Sequence, residues 1–185
     1  MMPQLCKFSS GQDAVEFTHG DTFQVQRTAD FSRVVLGARR NELGLILNLC
    51  RDLQGPFGIL YVLGVSRLGN AVGRYQSPRQ INFDELVDVL EPHRDFLEQD
   101  GRHNLWIRSF CSDSQFILDR HNIVFAYGDV QQIAEQLRAL GFVERPIETP
   151  VPHSHHYHYE YDESEDAILK TWDWVQTDLL SSDIE

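Results

Sequence analysis

Four of the eight histidines in this 185-residue chain, His153, His155, His156 and His158, fall in the run Pro152-His153-Ser154-His155-His156-Tyr157-His158-Tyr159-Glu160-Tyr161-Asp162. Imidazole at that density is raw material for a metal site or a proton relay, since the neutral ring ligates transition metals and titrates near neutrality. Alternating tyrosine and histidine after Pro152 predict an extended segment whose side chains point to opposite faces in turn. One face then carries His153, His155, Tyr157, Tyr159 and Tyr161 and reads as a packing surface; the other carries Ser154, His156, His158, Glu160 and Asp162.

Histidines two apart on a strand lie about 6.5–7 Å apart at Cα, and both can reach one ion at about 2.0–2.1 Å from nitrogen. The expectation is a half-site of His156 and His158 for a zinc-like divalent transition metal, with His153 and His155 in reserve and Glu160 as a ligand or acid–base group. Further ligands must come from His19, His93, His103, His121, Cys111 or an acid, and the sequence does not choose among them. The competing reading is a structural or pH-responsive surface strand whose imidazoles bond backbone groups or Glu160, Asp162 and Glu163. Neither the H-E-x-x-H helix nor the deaminase pattern is present.

A second candidate lies between Leu53 and Phe83, a stretch without acidic residues, where Arg67, Asn70, Arg74 and Arg79 follow an apolar run among glycines. Converging N–H groups and planar guanidinium forks suit a small anion. The alternative is a mobile loop whose arginines pair with the acidic 84–100 region or the acidic C-terminal third. Gly64 to Gly69 lacks the Lys-Ser/Thr of a phosphate loop, and Leu68 stands where a nucleophile elbow after Ser66 needs glycine.

The elements that must position these residues read as α+β. Residues 14–18 and 22–26 alternate around His19-Gly20-Asp21, predicting an N-terminal hairpin. Leu43, Ile46, Leu47, Cys50 and Leu53 share a helical face that Gly55-Pro56 ends. Phe57 to Ser66 reads as a central strand. Asn82 caps a helix over about 83–99 that Pro92 must break. Strands follow at 105–110, 115–119 and 122–127, then a helix from Asp129 to a glycine cap at Gly141, then extended chain from Phe142. Asp162 and Glu165 match a capping box for a last helix with Ile168, Trp172, Val175 and Leu179 as its stripe. Trp172 and Trp174, two positions apart, cannot share one helical face, which leaves Trp174 as edge packing or an anchor for a partner or homodimer.

The expected architecture is one α+β domain over 1–185, with an antiparallel-rich sheet and helices on one side. Residues 57–148 match the element order of a ferredoxin-like split β-α-β core, and 151–185 add the histidine strand and terminal helix. Three scattered cysteines without a C-x-x-C pair fit a reduced, cytoplasmic protein. The N-terminus lacks a signal-peptide run, and no apolar stretch reaches about 20 residues, so no membrane role is expected. A net charge of -12 argues against a nucleic-acid partner. Residues 129–185 alone carry thirteen acids and three bases, an acidic surface able to mask a basic partner. With no complete catalytic set, the leading expectation is a binding protein acting on a partner or small anionic ligand; the alternative is a metal-dependent enzyme or metal sensor using the histidines at 153–158 and Glu160.

Overall fold

Period-two alternation builds most of the large sheet. Leu105 and Ile107, Phe116 and Leu118, Val124 and Ala126, and Ile59 and Tyr61 turn one face of successive strands into a single apolar core. The computed structural model describes residues 5–10 and 15–183; Ala14, the first residue of the expected hairpin, and residues 1–4 of the expected leaderless N-terminus lie outside them. In chain order the elements are β1 (Phe8–Ser10), β2 (Val15–Glu16), β3 (Thr22–Arg27), β4 (Ser32–Gly37), α1 (Glu42–Arg51), β5 (Phe57–Leu63), β6 (Gly73–Gln76), α2 (Phe83–Leu90), α3 (Arg94–Gln99), β7 (His103–Ser109), β8 (Gln115–Leu118), β9 (Ile123–Tyr127), α4 (Val130–Ala139), β10 (Val143–Glu144), β11 (His153–His155), α5 (Asp162–Leu169) and β12 (Val175–Thr177).

Among the described residues nine strands form one sheet in the order β10-β3-β4-β9-β8-β7-β5-β6-β12, antiparallel except for β10 beside β3. A second sheet of three strands has the order β11-β1-β2. Leu43 and Ile46 of α1, Leu86 and Leu90 of α2, Phe96 and Leu97 of α3, Ile133 and Leu137 of α4 and Ile168 of α5 all join the sheet's core cluster. Among the described residues no helix is long and apolar enough to cross a membrane.

Several local expectations hold. Asn82 and Glu85 form a reciprocal capping box, a 3-10 turn over Glu91–His93 carries Pro92 and separates α2 from α3, the Asp129 carboxylate accepts from Gln132 N, and Gly141 has φ 89°. Others fail for identifiable reasons. β2 and β3 are not a hairpin: β2 pairs with β1 in the small sheet and β3 with β4 in the large one. Gly20, at φ 69°, turns the chain from one sheet into the other.

The split β-α-β lies one strand later than expected. β5 pairs antiparallel with both β6 and β7, so β6 and β7 run parallel on either side of it, joined by α2 and α3. The sequence hid this because Gly73–Gln76 sits at the end of a glycine-rich loop. A ferredoxin-like sheet is not what results, since β7, β8, β9 and β4 continue as consecutive antiparallel neighbours.

The last helix is shorter than its apolar spacing implied. α5 ends at Leu169, and Val175, expected on its stripe, sits instead on β12 paired with Gln76. Trp172 and Trp174, beyond the helix, contact each other at 5.0 Å between ring centroids. Nor does Glu165 cap the helix. It is fully buried and receives Arg102 Nη1 at 2.6 Å, while Arg102 also grips Asp100 through Nε and Nη2 at 2.8 and 3.0 Å and Asp162 at 3.1 Å. A buried carboxylate beside a guanidinium gains more from that pair than from an exposed cap. This clamp fixes α5, and the chain leading into it, against the start of β7.

Candidate metal centre

Two elements far apart in sequence make the site. Strand β11 pairs antiparallel with β1, Phe8 opposite His155 and Ser10 opposite His153, so His153 and His155 share a face while Ser154 points away, exposed. The third histidine comes from the β8–β9 turn. There Asp119 Oδ1 accepts the backbone N–H groups of His121 and Ile123, both at 2.8 Å, and Asn122 takes φ 55°. An aspartate that bonds its own turn tolerates this tight reversal, and its second oxygen, Oδ2, accepts His121 Nδ1 at 3.0 Å.

The rings of His121, His153 and His155 pack together, with centroids 4.7 to 5.4 Å apart. The buried Phe8 ring lies 5.7 to 6.4 Å from all three and forms an apolar floor. One ligand nitrogen from each histidine lies within 4.8 Å of the others.

Hydrogen bonds fix the tautomers. His121 Nδ1 faces the Asp119 carboxylate, and His153 Nδ1 faces the Pro150 carbonyl at 2.9 Å. Both partners only accept, so both Nδ1 atoms carry hydrogen and both Nε2 atoms of the neutral rings present lone pairs. Those two Nε2 atoms stand 3.2 Å apart. Two opposed lone pairs at that distance require a proton or a cation between or beside them. A tetrahedral ion with nitrogens at about 2.0–2.1 Å separates them by about 3.3–3.4 Å. Donation of the remote N–H to a carboxylate or a backbone carbonyl is also the usual support of a metal-bound histidine.

His155 adds a buried Nδ1 without a hydrogen-bond partner among the described residues. Burial, reinforced by the neighbouring His121, Arg120 and His153, pushes its ring down to about 4, so it is neutral near pH 7, the form that ligates metal.

The other expected ligands are placed elsewhere. His156 Nε2 bonds Ser9 Oγ at 2.8 Å, and His158 Nε2 donates to Cys6 O at 2.8 Å, while His158 N donates to Asp100. These two rings seat the segment on the chain around β1. Glu160 is exposed in a 3-10 turn over Tyr159–Tyr161, so the extended run ends before the expected tyrosine face can form. Of the outside candidates, His19 Nε2 bonds His121 O at 2.9 Å, and His103 is buried with Nε2 3.3 Å from Leu97 O. His93 is half-buried, Cys111 is exposed, and only His121 joins the cluster.

The residues read as an anion loop meet carboxylates of this chain. Arg67 pairs with Asp162, Asn70 Nδ2 donates to Glu165 and Asp166, Arg74 pairs with Asp183, and Arg79 pairs with Glu85. Part of the acidic C-terminal third is thereby engaged internally.

No family model, curated protein or solved structure matches this chain. Fold likeness therefore lends nothing to its function, which rests on the chemistry of the site.

Proposed function

We propose that this protein binds one zinc-like divalent transition-metal ion through Nε2 of His121, Nε2 of His153 and a ring nitrogen of His155, and acts as a metal-dependent enzyme or metal sensor. The observation that carries the reading is the opposition of two lone-pair nitrogens at 3.2 Å whose remote nitrogens are both committed to acceptors. Three imidazoles suit zinc, copper, cobalt or nickel and disfavour magnesium and calcium, which take oxygen ligands.

Three protein ligands leave a tetrahedral ion one position for water or an exchangeable ligand, unlike the closed four-ligand sets of structural zinc. At that position an ion lowers the pKa of its water toward neutrality or accepts a ligand whose arrival can be sensed. The chain's own contribution is to hold the rings: Asp119 orients His121, Pro150 O orients His153, β1 sets the spacing of His153 and His155, and Phe8 keeps water from beneath them.

Elemental analysis of protein purified without a histidine tag tests this reading. One ion per chain is expected, removed by chelator and restored with a rise in melting temperature that grows with metal concentration. Substoichiometric metal, with no thermal response to zinc, nickel or manganese, would mean that a shared proton holds His121 against His153.

A further inference from the structure

The solvent-facing side of the large sheet holds a cleft of about 500 Å³ whose lining includes Arg79 and Arg108 and the rings of Trp106 and Phe110, with no acidic side chain among the described residues that line it. The volume falls in the range of small-ligand pockets, about 300–1,000 Å³. Gly58, on β5, makes part of the room: a Cβ there would come 2.9 Å from the Phe110 ring. Glycine inside a strand often marks such a close approach.

Two guanidinium–ring pairs flank the cleft, Arg74 over Trp106 at 5.6 Å and Arg108 over Phe110 at 5.8 Å from the ring centroids. Arg74 is committed, its Nη1 bonded to both oxygens of the buried Asp183 at 2.8 and 3.1 Å. Arg79 and Arg108 are not held in that way. Their side chains are 57% and 53% exposed, and their partners Glu85 and Asp113 are 37% and 94% exposed. Exposed ion pairs are worth little, so an incoming oxyanion can replace them without leaving a buried charge unpaired. In a chain of net charge -12, the described lining places arginines and no carboxylate of its own at the cleft, the exposed partners Glu85 and Asp113 lying outside it, so an anion that displaces them finds guanidinium groups there.

We infer that this cleft binds a small planar aromatic anion, its ring against Trp106 and Phe110 and its oxyanion on Arg79 and Arg108. Flat rings stack on aromatic and guanidinium faces, and the planar fork matches carboxylate, sulfonate and phosphate alike. An aryl acid and a nucleoside phosphate share this chemistry. The inference is independent of the metal reading, because His121, His153 and His155 do not line the cleft.

The test is fluorescence titration of the full chain with 1-anilinonaphthalene-8-sulfonate, alongside its neutral analogue N-phenyl-1-naphthylamine. Saturable binding of the sulfonate is expected, weakened about tenfold by Arg108→Gln and by Arg79→Gln, as for loss of one charged hydrogen bond. Trp106→Ala should weaken it as well. The neutral analogue should bind less tightly and ignore both arginine changes, and His121→Ala should leave sulfonate binding intact. Displacement by AMP, with none by benzoate, would assign the site to nucleotides, and the reverse to aryl acids. Sulfonate binding that is absent, or indifferent to the arginines and Trp106, overturns the inference.

Discussion

His121 and His153 meet Nε2 to Nε2 at 3.2 Å although 32 residues separate them, and each is held in place through its other ring nitrogen. The first of those holds is testable at Asp119. In Asp119→Asn, Oδ1 can still accept the two turn N–H groups, but the new amide donates toward His121 Nδ1. That favours the tautomer with hydrogen on Nε2 and removes the lone pair a metal needs. Metal affinity should fall about 10- to 100-fold while the circular dichroism spectrum and melting temperature stay close to those of the parent. Calorimetric titration with zinc measures it, and unchanged affinity would show that Asp119 serves the turn alone.

The clamp at Arg102 makes a stability prediction. Arg102, Asp100 and Glu165 are all fully buried. Arg102→Met strands two carboxylates without a countercharge, a change that costs about 3–5 kcal/mol. Urea unfolding should show that loss, and limited proteolysis should release fragments beginning within residues 146–162 sooner than in the parent. A loss below about 1 kcal/mol would mean that the carboxylates find water instead.

The contrast between those two clusters shows what the sequence carried. Helices and strands were legible where local chemistry determines them: Asn82, Pro92, Asp129 and Gly141 act within a few residues of themselves. The site was legible by half. Histidine density marked the segment, and spacing chose His156 with His158 as the half-site; that His153 and His155 instead face His121 depends on the pairing of Phe8 with His155, a contact across 147 residues. Composition pointed away from the clustered pair because the tyrosines promised a packing face, yet β11 ends at His155 and a 3-10 turn starts at Tyr159, before that face can form. The one local signal for His121 is the Asp119-x-His121 spacing at a strand end, which places a carboxylate where it both makes the turn and orients the ring. Glu165 misled for a related reason: capping-box spacing is local, while the buried Arg102 that claims it arrives from 63 residues away.

Glu42, the first residue of α1, yields a pH prediction. It is 3% exposed, and burial pushes its carboxyl up to about 7. Nearby Glu98 and Asp21 push the same way; its own backbone N–H and Lys7 oppose. The folded state thus binds a proton that the unfolded chain releases near 4.5, so stability is lost as pH rises from about 4.5 through 7. Lys7, lowered by burial to about 8, acts in the opposite sense above that pH. Glu42→Gln should therefore gain on the parent between pH 5 and pH 8, by up to about 3 kcal/mol, read from urea unfolding of both proteins at the two pH values. An advantage that does not change with pH would contradict a buried, proton-holding carboxyl.

Cobalt titration tests the three-histidine centre most directly, since Co²⁺ in a four-coordinate site with three imidazole nitrogens gives strong visible bands that hydrated Co²⁺ lacks. Metal-free, untagged protein should saturate such bands at one equivalent. His121→Ala and His153→Ala should each abolish them, whereas the double variant His156→Gln with His158→Gln, whose amides can replace the bonds to Ser9 and Cys6, should retain them. Bands that survive His121→Ala but vanish in the double glutamine variant, or no saturable bands in the parent protein, would contradict the assignment of the metal to His121, His153 and His155.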